Sequence, residues 1–260
     1  MAFETILFET AGSVAVVTLN RPKALNALCR QLVGELDQAL DSIEKNADIR
    51  AVIVTGSAKA FAAGADIKEI AAIRSPAEAR GYITGMQRVF NRLERLDRPV
   101  IAAVSGFAFG GGCELCLACD VRIAAENARF ALPEIKLGLL PGGGGTQRLP
   151  RLIGAGRAKQ HIFSGEPFDA QEAYRVGLVN AVVSTDALMD EAMKLAGSYA
   201  ARPGFALKTI KGLINEGFDM PLAAALAHEM RCFEILFSTR DKEEGVAAFL
   251  EKRTPAFQHH

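Results

Sequence analysis

Short β-branched runs alternate, through the first half of the chain, with longer stretches whose apolar residues recur every three or four positions. Ser13-Val14-Ala15-Val16-Val17-Thr18-Leu19 reads as a strand. Arg21-Pro22 breaks it, and from Leu28 to Ile43 the apolar positions Leu32, Leu36, Ala39, Leu40 and Ile43 fall at helical spacing. Ala51-Val52-Ile53-Val54-Thr55-Gly56 predicts a second strand, Ala77 to Leu96 a helix, and Pro99-Val100-Ile101-Ala102-Ala103-Val104 a third strand. Two short strands, Val121-Arg122-Ile123-Ala124 and Ala128-Arg129-Phe130-Ala131, follow a glycine-rich turn. Strands that alternate with helices predict an α/β chain with a largely parallel sheet, its ligand groups gathered beyond the strand ends. After Pro141-Gly142-Gly143-Gly144-Gly145 helical segments dominate from about Gln147 to Leu250, with an interruption near Val179 to Val183. Within them Leu222, Ala225, Leu226, Met230, Phe233, Leu236 and Phe237 form an apolar face, suited to the core or to another subunit.

Composition narrows the classes. A chain of 260 residues, 50% hydrophobic, is long enough for one substantial core plus a helical appendage. Thirty Lys+Arg against thirty Asp+Glu give formal net charge zero, unlike a dedicated nucleic-acid binder, though a local basic rim for a small anion stays open. Met1-Ala2-Phe3-Glu4-Thr5 lacks the basic-then-apolar pattern of a secretory leader, and no run of 18 apolar residues occurs. The expectation is a soluble, cytoplasmic protein with no membrane partner. The terminal His259-His260 reads as part of an expression tag and carries no weight for function. Cys113, Cys116 and Cys119 form C-x-x-C-x-x-C, but an iron–sulfur run needs a fourth thiolate, commonly followed by proline, and Asp120 follows Cys119. Their neighbours suit a buried helix, where free Cys serves as a small hydrophobe. With Cys29 and Cys232 the total is odd, which suits a reducing compartment better than a disulfide framework.

Three segments carry chemistry. In Val104-Ser105-Gly106-Phe107-Ala108-Phe109-Gly110-Gly111-Gly112-Cys113-Glu114-Leu115 a strand ends at Val104 and a helix starts near Gly111 or Gly112. The first N–H groups of such a helix lack internal partners, and the local dipole favours negative charge there. Glu114 follows one turn in. Phosphate-binding patterns do not match this stretch, nor Gly142 to Gly145, because neither is followed by the lysine such loops use; glycines that serve only strand–helix packing are the alternative to a site. Phe61-Ala62-Ala63-Gly64-Ala65-Asp66-Ile67-Lys68-Glu69-Ile70 offers a similar corner: Asp66 suits a helix cap, and Ala65 a second free N–H for an oxyanion. Glu134, in Phe130-Ala131-Leu132-Pro133-Glu134-Ile135, is a carboxyl in apolar company. It is either paired, with Arg122 or Arg129 as the partner, or functional with a raised pKa. His161 and His228 have no ligand-spaced neighbours, no metal-spaced cluster occurs, and Ser105-Gly106 has no evident base.

Taken together, Asn20 to Leu28, Ala60 to Glu69, Pro99 to Asp120, Phe130 to Arg148 and Asp241 to Arg253 resemble the enoyl-CoA hydratase (crotonase) family along most of the chain. The resemblance implies a spiral of β-β-α units over 1–200 and a C-terminal helical region, 201–260, that packs on the core and on neighbouring subunits in a trimer or dimer of trimers. It implies that the N–H groups of Ala65 and Gly111 form an oxyanion hole for an acyl-CoA thioester, and that Glu114 and Glu134 are the catalytic pair. Gly142 would help hold the reacting water, and Lys23, Ala24 and Leu25 would meet the adenine end of CoA. Ala63, Asp66, Ile67 and Lys68 would line the substrate path, and Lys252 would meet CoA phosphates, from a neighbouring subunit if not from its own. No metal or redox cofactor is expected, CoA being part of the substrate. Both carboxyls together favour hydration of a 2-enoyl-CoA over double-bond isomerisation, which commonly manages with one. RNA binding, known among crotonase-like proteins, needs a basic face. Arg74, Arg80, Arg88, Arg92, Arg95 and Arg98 are interspersed with Glu78, Glu94 and Asp97 and read as a mixed surface.

Overall fold

The computed structural model describes residues 3–259. The leader and tag readings fall partly on Met1, Ala2 and His260, which lie outside the described residues. In chain order the elements are β1 (Ile6–Ala11), β2 (Val14–Leu19), α1 (Arg30–Lys45), β3 (Ala51–Thr55), β4 (Ala60–Ala62), α2 (Ile67–Ala72), α3 (Pro76–Arg95), β5 (Val100–Val104), β6 (Phe107–Phe109), α4 (Gly111–Leu117), β7 (Val121–Ala125) and β8 (Arg129–Ala131). A 3-10 turn over Pro133–Leu137 leads on to α5 (Gly145–Ile153), α6 (Ala155–Ser164), β9 (Phe168–Asp169), α7 (Ala170–Arg175), β10 (Ala181–Val183), α8 (Leu188–Ala200), α9 (Gly204–Gly217), α10 (Leu222–Leu236) and α11 (Arg240–Glu251).

The strands form two sheets, ordered β1-β2-β3-β5-β7-β10 and β4-β6-β8-β9. In the larger sheet only the β1–β2 hairpin is antiparallel; the other neighbours run parallel. Each pair β3–β4, β5–β6 and β7–β8 gives its first strand to the large sheet and its second to the small one, and a helix or turn returns the chain. These are the β-β-α units the resemblance implies. The residue pattern alone predicts one parallel sheet: of the small sheet it marks β8, but strands of two or three residues are too short to carry a period-two signal that would set them apart.

Burial explains the solid apolar runs of β3 and β5. Val52, Val54, Val100, Ala102 and Val104 face the main core with α1, α3 and α4, while Ala51, Ile53, Ile101 and Ala103 meet Leu188, Ala192, Ala196 and Ala200 of α8. A parallel sheet covered on both faces needs apolar residues at every position. Helix α1 buries Leu32, Leu36, Ala39, Leu40 and Ile43 as the spacing predicts. It begins at Arg30 rather than Leu28 because Leu28 is already engaged in a bridge to Ala65.

The C-terminal helices do not form one layer on the core. Helix α9 is tied down by Lys211 to Asp120 (2.8 Å) and Lys208 to Asp97 (2.6 Å). Helix α10 has no buried residue, and Leu222, Leu226, Met230, Phe233 and Phe237 of its apolar face stand exposed. No helix among the described residues is long and apolar enough to cross a membrane.

Gly112 sets how closely α4 approaches the small sheet. A Cβ there would stand 2.1 Å from the carbonyl oxygen of Ala62 and 2.7 Å from its Cβ. Gly112→Ala is expected to lower the unfolding free energy by about 1–3 kcal/mol in a urea titration, and an unchanged midpoint would contradict so tight a contact.

Candidate active site

Two corners where the chain passes from the small sheet into a helix supply the site. At the first, Leu28 donates its N–H to the Gly64 carbonyl (2.7 Å) and accepts from the N–H of Asp66 (2.8 Å). In a parallel bridge those bonds flank the intervening residue, so the N–H of Ala65 points the other way. Buried Asn26 locks this corner: its Oδ1 accepts from the N–H of Arg21 (2.8 Å), and its Nδ2 donates to the carbonyls of Ala60 (2.9 Å) and Phe61 (3.2 Å). Asp66 caps α2 through the N–H of Lys68 (3.0 Å) and pairs with Arg21 (3.0 Å), so its carboxylate braces the corner.

At the second corner Gly110 takes φ 48°, a left-handed conformation costly for other residues, before α4 begins at Gly111. The N–H of Gly110 is held by the Ala131 carbonyl (2.9 Å), which frees the next amide, that of Gly111. A Cβ on Gly111 would stand 3.6 Å from the amide nitrogen of Ala65. The two amides therefore border one space, and neither has an acceptor among the described residues.

Two carboxyls stand near these corners, one on α4 itself and one on the turn after β8. Glu114 lies one turn into α4, is 2% exposed, and accepts the N–H of Gly145 on Oε1 at 2.8 Å. Burial pushes its pKa up to about 7; the amides of Gly145 and Gly143 and the Arg148 guanidinium oppose that rise, and the Glu134 carboxyl adds to it. Glu134 stands on the 3-10 turn after β8, and its Oε1 lies 2.7 Å from where a Cβ on Gly110 would be, so a side chain at 110 would strike it. Burial raises its pKa as well, and its buried Oε2 has no hydrogen-bond partner among the described residues. The expected alternative partners are occupied elsewhere: Arg122 donates to the carbonyls of Leu178 (2.7 Å) and Cys119 (2.6 Å), and Arg129 to that of Ala128 (3.1 Å). An acceptor held by amides and a carboxyl with an unsatisfied oxygen thus stand beside two free donors, the parts needed to add or remove a proton next to a developing oxyanion.

The remaining residues are spread around this centre. Lys23 and Ala24 lie in a 3-10 turn capped by Leu25 in a left-handed conformation (φ 48°), and the Leu25 carbonyl accepts the N–H of Ala63 (3.0 Å), which ties that loop to the first corner. Ile67 and Lys68 are exposed on the first turn of α2. Gly142 abuts Ile83, and its carbonyl accepts from Gln87 (2.6 Å). Lys252 caps α11 at φ 56°, with no side-chain bond to any of these groups among the described residues. His161 is buried against Phe168, ring centroids 4.0 Å apart, and Ser105 hydrogen-bonds Ala58 and Asn127. Burial raises the thiol pKa values of Cys113, Cys116 and Cys119, as for packed side chains. Arg88 and Arg92 are ion-paired with Asp37, and Arg92 also with Asp41 and Glu44.

Residue patterns miss the holders of the site: Asn26, Gln87, Gly143, Gly145 and Arg148. The glycine run marks a special backbone, but nothing local marks which of its amides meets a carboxylate 31 residues earlier.

Comparison with known proteins agrees with this geometry. The family model for enoyl-CoA hydratase/isomerase matches residues 9–260. A short-chain-enoyl-CoA hydratase of Clostridium acetobutylicum is 47% identical, over 97% of each chain. A crotonyl-CoA hydratase of Syntrophomonas wolfei is 45% identical over 99% of each. The crystal structure of enoyl-CoA hydratase from Bacillus anthracis superposes with a TM-score of 0.95 at 41% identity, covering 99% of this chain and 100% of that one. With the fold, the paired corners and full-length similarity in agreement, the chain belongs to the enoyl-CoA hydratase/isomerase family.

Proposed function

We propose that the protein is an enoyl-CoA hydratase, adding water syn across a trans-2-enoyl-CoA to give the 3-hydroxyacyl-CoA, reversibly. What supports this reading is the nearness of two acceptor-free amides, Ala65 and Gly111, to the buried carboxyl of Glu114 and the half-buried one of Glu134.

A conjugated thioester resists water until its carbonyl oxygen is polarised. The N–H groups of Ala65 and Gly111 meet that oxygen and stabilise the enolate as it forms; one such donor is typically worth roughly 3 to 4 kcal/mol of barrier. Glu114 takes a proton from water as the oxygen bonds to C3, and Glu134, protonated, delivers a proton to C2 on the same face. Glu114 suits the base because backbone amides favour its charged form. Glu134 suits the acid because burial favours its neutral form and its Oε2 has no protein partner among the described residues. Gly142 borders the water. Lys23, Ala24 and Leu25, with Ala63, Ile67 and Lys68, hold the CoA portion; Asp66 contributes by fixing the corner, and Lys252 reaches CoA phosphates from an adjoining subunit. No step requires a metal or redox group.

The same proposal includes a homotrimer or dimer of trimers, supported by the exposed apolar face of α10, and a cytoplasmic setting, supported by five free cysteines. The carboxyl pair favours hydration over isomerisation, and the paired arginines of α3 offer little free charge for RNA.

Purified protein mixed with crotonyl-CoA is expected to bleach the enoyl-thioester absorbance. Glu114→Gln and Glu134→Gln should each lose about 10²–10⁴-fold in kcat while keeping the native circular dichroism. Full activity in either variant would remove that carboxyl's role, and a shifted alkene without water uptake would favour isomerisation.

Because Glu114 must be ionised to act as base and its pKa is about 7, kcat/KM should fall about tenfold per unit below pH 7. A profile flat through pH 6 would contradict that assignment. In sedimentation velocity the protein is expected to run as a trimer or hexamer, and Phe233→Glu to shift it toward smaller species; a monomeric wild type would refute the assembly.

A further inference from the structure

The Gly142 to Gly145 turn has almost no means of holding itself. Consecutive glycines have the greatest backbone freedom to lose, and Gly144 sits at φ 116°. Yet the amides of this turn hold the carboxylate of Glu114. The restraint comes from outside, from α3 and α5. Arg148 donates from Nη1 to the Gly143 carbonyl at 3.0 Å, and its own N–H donates to the Gly144 carbonyl at 2.8 Å. Its guanidinium is fixed in turn by Glu94, at 3.3 Å through Nε and 2.7 Å through Nη2, and by Asn91 Oδ1 at 2.7 Å. Gln87 completes the grip by donating to the Gly142 carbonyl at 2.6 Å. Apolar contact closes the turn as well: would-be Cβ atoms on Gly142 and Gly143 would lie 2.7 Å from Ile83 and 3.0 Å from Phe90.

We infer that Arg148, anchored by Glu94 and Asn91 and assisted by Gln87, is a positioning residue for hydration: it fixes the glycine turn whose amides hold the base, Glu114. The inference rests on the hydratase reading. Arg148 is shaped for the task, since a planar fork bonds a carboxylate with two nitrogens and keeps a third contact for the turn. Its side chain is 13% exposed, while that of Glu94 is 36% exposed, so the guanidinium is the shielded end of the pair. The groups that set the charge balance at Glu114 are Arg148 from α5, which favours ionisation, and Glu134 from the 3-10 turn, which opposes it; the buried thiol of Cys113 adjoins on α4.

The test compares wild type with Arg148→Lys, Arg148→Met and Gln87→Leu on crotonyl-CoA, reading kcat, KM, the pH profile of kcat/KM and thermal stability. Arg148→Lys keeps the charge but loses the fork, and should lower kcat about 10- to 100-fold with KM changed less than about threefold, the signature of a misplaced base. Arg148→Met should show the same loss and also move the acid limb to higher pH. Losing the cation and slackening the Gly145 bond both favour protonated Glu114. Gln87→Leu should lose less. Folded variants with wild-type kcat and pH profile, and only a lower Tm, would overturn the inference; if the Met variant does not fold, the Lys variant decides. A wild type that fails to hydrate crotonyl-CoA would refute the hydratase reading and this inference with it, whereas an active wild type with unaffected variants refutes this inference alone.

Discussion

Everything at the site depends on keeping a carboxylate in an apolar interior without losing its ability to ionise. Glu114 is held near Leu132, Pro141 and Phe90, a setting that by itself raises its pKa and favours the neutral form. Backbone amides from the glycine turn offset part of that penalty, and the result is a group poised near neutrality rather than far above it. The reaction needs that intermediate state. A fully solvated glutamate is a weak base, and a fully buried, unassisted one would carry its proton throughout.

The two-sheet spiral makes this arrangement geometrically available. Because each β-β-α round drops its second strand into the small sheet, the exits of β4 and β6 lie side by side, and each opens into a helix with a free amide. The β8 exit adds Glu134 in the same direction. Groups separated by about seventy residues thus converge through strand adjacency alone, with parallel pairing of Ala60 to Phe107 and Phe107 to Arg129 fixing the register. Asn26 then binds the N-terminal loop to β4, so the first corner is referenced to the same sheet.

Legibility in the sequence followed the length of the signal. Helices α1 and α3 carry enough apolar turns to be read within a residue or two, and β2, β3 and β5 announce themselves as β-branched runs. The corners were legible as glycines at the ends of apolar runs, and Glu114 and Glu134 as carboxyls in the wrong company. Of the small sheet β8 was legible as a short strand, but β6 was not, because Phe107-Ala108-Phe109 is too brief to show alternation and lies inside what reads as a turn. Nor was Arg148, whose partners Glu94 and Asn91 lie more than fifty residues away. Asp66 was legible as a cap, and its pairing with Arg21 accounts for its side chain. The apolar face of α10 was visible, whereas the anchoring of α9 by Lys208 and Lys211 rests on tertiary ion pairs that no local pattern marks.

In the proposed mechanism the donors to the substrate's oxygen are main-chain atoms, and this divides the site into durable and replaceable halves. A single codon change can erase either carboxyl, whereas nearly every exchange at Ala65 or Gly111 leaves an N–H in place; proline alone removes it. Mutational drift at this site therefore preserves the capacity to polarise a thioester while leaving the proton chemistry free to vary, so a scaffold of this kind can change its reaction without first losing its grip on the acyl group.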